Sequence, residues 1–228
     1  MNDGPVIVRF LRFLILICGL LGCRLCAEEN APQISAELVP QASKAKAQFA
    51  QGDFAGAEKT YRDMLEVAPD NLSLLSNLGV VLFREGKLKL AEETFEKVLA
   101  QAPENELALC TVGIVHYDAG RYDRAEEALR KATALNLRDP TAHNYLGLTL
   151  HQQGKRDEAV KELEAAVALD DKYGDAHFHL AVVLATTKLV DLEKARQHYD
   201  RAVKLGAERD LALEKLMGSS DATGGSAR

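Results

Sequence analysis

Self-similarity at a constant interval of 34 residues is the strongest constraint on how this chain folds. The pairs Lys44-Ala45, Leu78-Gly79, Val112-Gly113, Leu146-Gly147 and Leu180-Ala181 recur at that interval. So do Gly52, Gly86, Gly120 and Gly154. Two further columns run Ala57, Ala91, Ala125, Ala159, Ala195 and Tyr61, Phe95, Leu129, Leu163, Tyr199. Their last members slip by two positions, which puts a two-residue insertion around Thr186 to Leu192. A period of this length marks one supersecondary unit that buries its apolar face only against a neighbouring copy of itself.

Each column has a physical reason. The recurrent glycine follows a helical pattern by one residue, where a left-handed backbone ends a helix without a side-chain clash. The helical pattern then resumes, with Asp53, Asp123, Asp157 and Asp191 placed to cap new N-terminal amides. Glycine inside a helix costs about 1 kcal/mol, so Leu-Gly or Val-Gly in mid-helix predicts close approach of a second helix. The alanine and the large residue four positions later share one face of that second helix. Pro69 and Pro103 end the first two units; Leu137 and Asp171 stand at those positions in the next two.

Through these columns the chain resembles the tetratricopeptide repeat (TPR) family over roughly residues 38 to 207. The resemblance implies an all-α fold: a right-handed superhelical solenoid of about five helix-turn-helix units near 38–71, 72–105, 106–139, 140–173 and 174–207. The first unit carries Lys44-Ala45 and Gln48 where apolar residues are usual, and reads as a polar N-terminal cap. Glu208 to Met217, with Leu211, Leu213 and Leu216, reads as a C-terminal capping helix, and residues 218–228 as a disordered tail. By the same resemblance the chain is a protein-binding module whose concave face receives a peptide segment of a partner. A self-associating scaffold, a homo-oligomer of packed arrays, is the competing structural role.

The two helices of each unit differ. The second helices have one apolar stripe and i,i+4 charge pairs, Glu58 with Arg62, Glu93 with Lys97, Glu126 with Arg130 and Glu127 with Lys131, the pattern of a solvated face. The first helices have two stripes. Leu75, Leu78 and Leu82 form one in the second unit. The other passes through Val80 and Phe83, then Cys110, Ile114 and Tyr117, then Asn144, Leu148 and His151, then Phe178 and Val182. Val80, Ile114, Leu148 and Val182 are expected to pack on the neighbouring unit. Phe83, Tyr117, Asn144, His151 and Phe178 are the candidate partner-binding groove, as aromatic rings supply contact area and asparagine pairs with a peptide backbone. Some family members grip terminal carboxylates with basic side chains on successive first helices. Here Glu106 to Ala119 holds no Lys or Arg, so recognition is expected to be more apolar.

Residues 1–27 form a leader. Arg9 and Arg12 precede the apolar run Phe13 to Leu21, with small residues before Glu28. It reads as a signal peptide cleaved after Ala27, as a lipobox-like segment lipidated at Cys23, or as a retained N-terminal anchor; residues 28–37 form a linker. Each version implies an exported bacterial protein, periplasmic, secreted or envelope-anchored, with membrane attachment through the N-terminus in two of them. Cys110 is the one cysteine beyond the leader, so no internal disulfide framework exists. With 34 acidic against 28 basic residues, a net of −6, the chain is not expected to bind nucleic acid. No phosphate loop, nucleophile elbow or paired-cysteine metal motif occurs. His143 and His177 share a column and read as core replacements, with no metal or other cofactor, and no enzyme is expected.

Overall fold

The computed structural model describes residues 35–186 and 191–218. The leader with Cys23, residues 28–34 of the linker, residues 187–190 within the insertion and residues 219–228 of the tail lie outside this description. All regular structure among the described residues is helical. Two compact units are present, one running to Thr94 and the other from Phe95.

The first unit contains a 3-10 turn (Ala36–Leu38), α1 (Val39–Ala50), α2 (Phe54–Val67), α3 (Leu72–Arg84) and the start of α4 (Leu88–Gln101). Its core is built from Ala45, Ala57, Tyr61, Met64, Leu74, Leu78 and Leu82, with Phe49, Phe54 and Phe83 partly buried against it. The polar Gln48 has a structural task. Its amide nitrogen donates to Asp53 Oδ2 at 3.1 Å and its carbonyl accepts from Thr60 Oγ1 at 2.8 Å, while Asp53 caps α2. The side chain thus ties the two helices of its pair together across their turn.

The second unit continues with α5 (Glu106–Asp118), α6 (Tyr122–Leu135), α7 (Pro140–Gln152), α8 (Arg156–Leu169), α9 (Gly174–Thr186), α10 (Leu192–Lys204) and α11 (Leu211–Leu216). Consecutive helices α5–α6, α7–α8 and α9–α10 pack as pairs, and α5, α7 and α9 also touch in succession. Gly52, Gly86, Gly120 and Gly154 have φ of 79°, 75°, 71° and 78°. They close the first helices as the column predicts.

The capping prediction holds in part. Asp53 and Asp191 accept from the amides of Gly56 and Lys194. Asp123 and Asp157 instead lie inside the first turns of α6 and α8, whose caps are Arg121 and Lys155. Set two residues past the cap, these carboxylates complement the helix dipole without bonding its free amides. The first helices are capped by Asn71, Asn105 and Asp139, another 34-residue column.

The mid-helix glycines meet the large residue of the following helix. A Cβ on Gly113 would stand 2.5 Å from Leu129 Cγ; one on Gly147 would stand 2.6 Å from Leu163 Cγ and 3.1 Å from the Ala159 carbonyl oxygen. Charges knit the opposite surface. Glu58–Arg62, Glu126–Arg130 and Glu127–Lys131 close as i,i+4 pairs. Glu58 and Glu126 also reach Lys87 and Lys155, 29 residues on, at 2.6 and 2.7 Å. The Lys87 contact holds the Glu58 carboxyl at about 2, below the usual range. At the end of the stack, Tyr199 donates to Glu214 Oε1 at 2.7 Å and accepts from the Asp210 amide at 2.7 Å, which seats α11 and its buried Leu213.

Candidate functional site

The structure separates the five groove residues into two sets. Tyr117 and His151 are half-buried, with surface left to offer. Asn144 and Phe178, only 1% and 7% exposed, lie beneath the surface and support it. Phe83 belongs to the first unit, half-buried against that unit's core.

Asn144 is committed to contacts between helices. Its side-chain oxygen accepts from His179 Nδ1 at 2.9 Å, and its amide nitrogen reaches Tyr173 Oη at 3.4 Å. Burial pushes the His179 imidazole down to about 4, so it is neutral at physiological pH and the Nδ1–H donates. Phe178 lies 6.3 Å from Tyr199 and 6.2 Å from His179, ring centre to ring centre. Burial likewise lowers His151, whose Nδ1 has no hydrogen-bond partner.

Around Tyr117 the face common to α5, α7 and α9 is richer than the stripe implies. The Tyr117 ring meets Tyr145 edge-on, with centres 5.8 Å apart, and lies 5.8 Å from Tyr122. Gln152 hydrogen-bonds its hydroxyl, and burial raises that hydroxyl to about 12. Tyr145 is 7% exposed, and its hydroxyl lies within the electrostatic reach of Tyr173, Asp118, Asp175 and Tyr117. Burial raises the Asp118 carboxyl to about 6 and moves Asp175 in the same direction. Asp118 is nevertheless open to solvent. Sequence reasoning passed over Asp118, Tyr145, Tyr173 and Asp175, which share no column and converge only when the helices stack.

The raised Asp118 carboxyl makes a testable difference. Its charge costs stability above pH 6, where it is ionised in the fold, and costs nothing below about pH 4, where an aspartate is protonated in either state. Asp118→Asn should therefore raise the melting temperature at pH 7.5, by no more than a few degrees because the group keeps solvent contact. The gain should fade towards zero as the pH falls to about 4. A gain that grows on acidification would refute the assignment.

The histidine column resolves into two pairings. His143 Nδ1 bonds Glu162 Oε2 at 2.7 Å. One unit on, His177 Nδ1 faces His198 Nδ1 at 2.9 Å, with rings stacked at 5.2 Å. His177 Nε2 meets the Asp171 carbonyl, which only accepts, so His177 Nδ1 must accept from His198. Burial lowers both rings, towards the neutral form. Among the described residues no three His, Cys, Asp or Glu side chains gather as a metal set.

Stacked helix pairs with a continuous face of first helices, and small residues where second helices cross, define a repeat-built protein-interaction module. Family models described as tetratricopeptide repeat match residues 112–173 and 152–210, and residues 70–138. The chain belongs to the tetratricopeptide repeat family, whose members generally bind protein or peptide partners and whose repeats are generally not catalytic. Solved structures agree on the fold. PilF of Pseudomonas aeruginosa is 25% identical, covering 78% of this chain and 82% of its own at a TM-score of 0.67. MamA of Desulfovibrio magneticus RS-1 is 20% identical, covering 76% and 97% at 0.66. YrrB, described as a TPR protein with an unusual peptide-binding site, is 26% identical, covering 78% and 90% at 0.61. No curated protein sequence matches the chain at a significant level.

Proposed function

We propose that this chain is a non-catalytic adaptor of the bacterial cell envelope that holds a segment of a partner protein against the face shared by α5, α7 and α9. The observation that carries the reading is the Tyr117 site: a half-buried ring edge-on to Tyr145, bordered by the exposed Gln152 and Asp118. Partly exposed aromatic rings on a rigid helical face supply contact area at little entropic cost. The described peptide-binding site of YrrB supports the same use of the fold. The leader, with Arg9 and Arg12 before an apolar run, supports export, and Cys23 supports lipid attachment as one route to the envelope.

A photo-crosslinking amino acid at Gln152, compared with one at Lys131 on the charged outer surface, tests this in cells. Adducts to a discrete partner are expected from Gln152 and not from Lys131. Equal adducts from both positions, or adducts only to further copies of the chain, would overturn the groove reading, the latter in favour of a scaffold. Incorporation of labelled fatty acid, abolished by Cys23→Ala, reports lipidation separately.

A further inference from the structure

The last two repeats place polar pairs where the repeat before them is apolar. Leu109 on α5 and Ala128 on α6, both buried, give way one period later to His143 and Glu162. One period further, allowing for the inserted residues, stand His177 on α9 and His198 on α10. The first pair bonds at 2.7 Å, the second at 2.9 Å with its rings stacked. The two pairs answer oppositely to protons. A charge on His143 meets a carboxylate, whereas a charge on His177 meets another imidazole.

The hydrogen-bond pattern determines how many protons the histidine pair accommodates. His177 Nε2–H donates to the Asp171 carbonyl and His198 Nδ1–H to His177 Nδ1, which leaves His198 Nε2 to take a first proton. That proton leaves the contact standing. A second has only His177 Nδ1 to occupy. It removes the acceptor and sets two N–H groups, on two stacked cations, against each other.

We propose that the His177–His198 contact is an acid-sensitive latch, which holds α10 and the α11 cap on α9 near neutral pH and lets them open on acidification, while the His143–Glu162 pair keeps α7 and α8 together.

Contacts beyond the rings define what opens. Tyr199 on α10 packs against Phe178 and bonds Glu214 and the Asp210 amide, and Arg196 reaches the carbonyls of Met217 and Gly218. The α11 cap is therefore tied to α10, and opening uncovers Phe178. Burial, then Arg201, opposes charge on His177; burial, then His177 and Lys194, opposes it on His198. Asp170 and Asp171, in the turn before α9, and Glu164 on α8 pull the other way without prevailing. The neighbouring helices bring His143 on α7, engaged by Glu162, and Glu214 on α11, engaged by Arg209 and Tyr199. His179 faces α7 through Asn144 and takes no part.

Rings lowered in the closed form gain their protons mainly on opening. The latch is thus at full strength above the usual imidazole value of about 6.5 and weakens as the pH falls below it. Each ring kept neutral when closed raises the opening constant by up to about tenfold per pH unit. Asp175 in α9, raised by burial, acts in the opposite direction, so the test compares variants that all retain it.

Amide hydrogen exchange of the full chain at pH 7.5 and about 5.5, corrected for the intrinsic rate, reads the opening of each helix. The opening constant of α10 and α11 is expected to rise about tenfold or more on acidification, with α7 and α8 changing by less than about twofold. His177→Leu with His198→Ala, which restores the pair of the third repeat, should reduce the rise to less than about twofold. His198→Glu, which copies the fourth repeat, should abolish or reverse it. No selective rise in the parent would overturn the latch. So would an equal rise in the double variant, or opening of α5 to α10 together. Should His198→Glu not fold, the double variant still decides.

Discussion

Gly147→Val should destabilise the fold by about 3 kcal/mol or more, the upper range for forcing extra atoms into a packed interior. A Cβ at this position would lie 2.6 Å from Leu163 Cγ, a branch point with little freedom to swing away. It would also lie 3.1 Å from the Ala159 carbonyl oxygen, which moves only if α8 moves. Against this, removing glycine from a helix interior is worth about 1 kcal/mol. Gly147→Ala should therefore lose less than Gly147→Val, and valine adds two methyl groups with nowhere to go. Gly154, at φ 78° with open space around it, is the control. Gly154→Ala should cost only the left-handed backbone penalty of about 1–2 kcal/mol. Urea unfolding of the three variants decides the matter, and a Gly147→Val loss below about 1 kcal/mol would refute close helix contact as the reason for the column. The column itself offers a further check. Alanine replaces glycine in the first and fifth units, where the facing column holds Tyr61 and Tyr199 in place of leucine, and all four residues are buried.

The second large effect is expected from Asn144→Ala, at about 2–3 kcal/mol. The substitution removes the acceptor of the His179 Nδ1–H and leaves a donor buried without a partner. Because burial holds His179 neutral, at about 4, protonation does not rescue it at physiological pH. The loss should fall on the α7–α9 contact, so hydrogen exchange should accelerate in α9 before α5. Asn144→Asp keeps an acceptor and should retain more stability than alanine, with the imidazole titrating at higher pH. Asn144→Ala within about 0.5 kcal/mol of the parent would show that the buried pair contributes nothing.

The repeat-level features were legible in the chain because they are local and periodic. A glycine that must adopt positive φ and a small residue opposite a large one leave a mark every 34 residues, and Gly52 to Gly154 and Gly113 opposite Leu129 behave as that mark implies. Caps were half legible. Aspartates occur near four of the five second-helix starts, α4 having none, but a shift of two positions decides between Asp53, which bonds its helix, and Asp123, which does not. The site was least legible. Tyr117 stood out as an aromatic residue at helical spacing. Asn144 and Phe178 carried the same signal, yet the fold buries both, since spacing along one helix cannot show how deeply the next unit covers it.

The sequence alone determined the unit, its period, its turns and the exposed charge of its second helices, because each depends on residues within one or two helical turns. Tertiary stacking alone decided the tyrosine cluster. Tyr117 and Asp118 on α5, Tyr145 on α7 and Asp175 on α9 are separated by nearly a full repeat each. Only the packing of successive first helices brings their hydroxyls and carboxylates within electrostatic reach of one another and buries the Tyr145 ring between its neighbours.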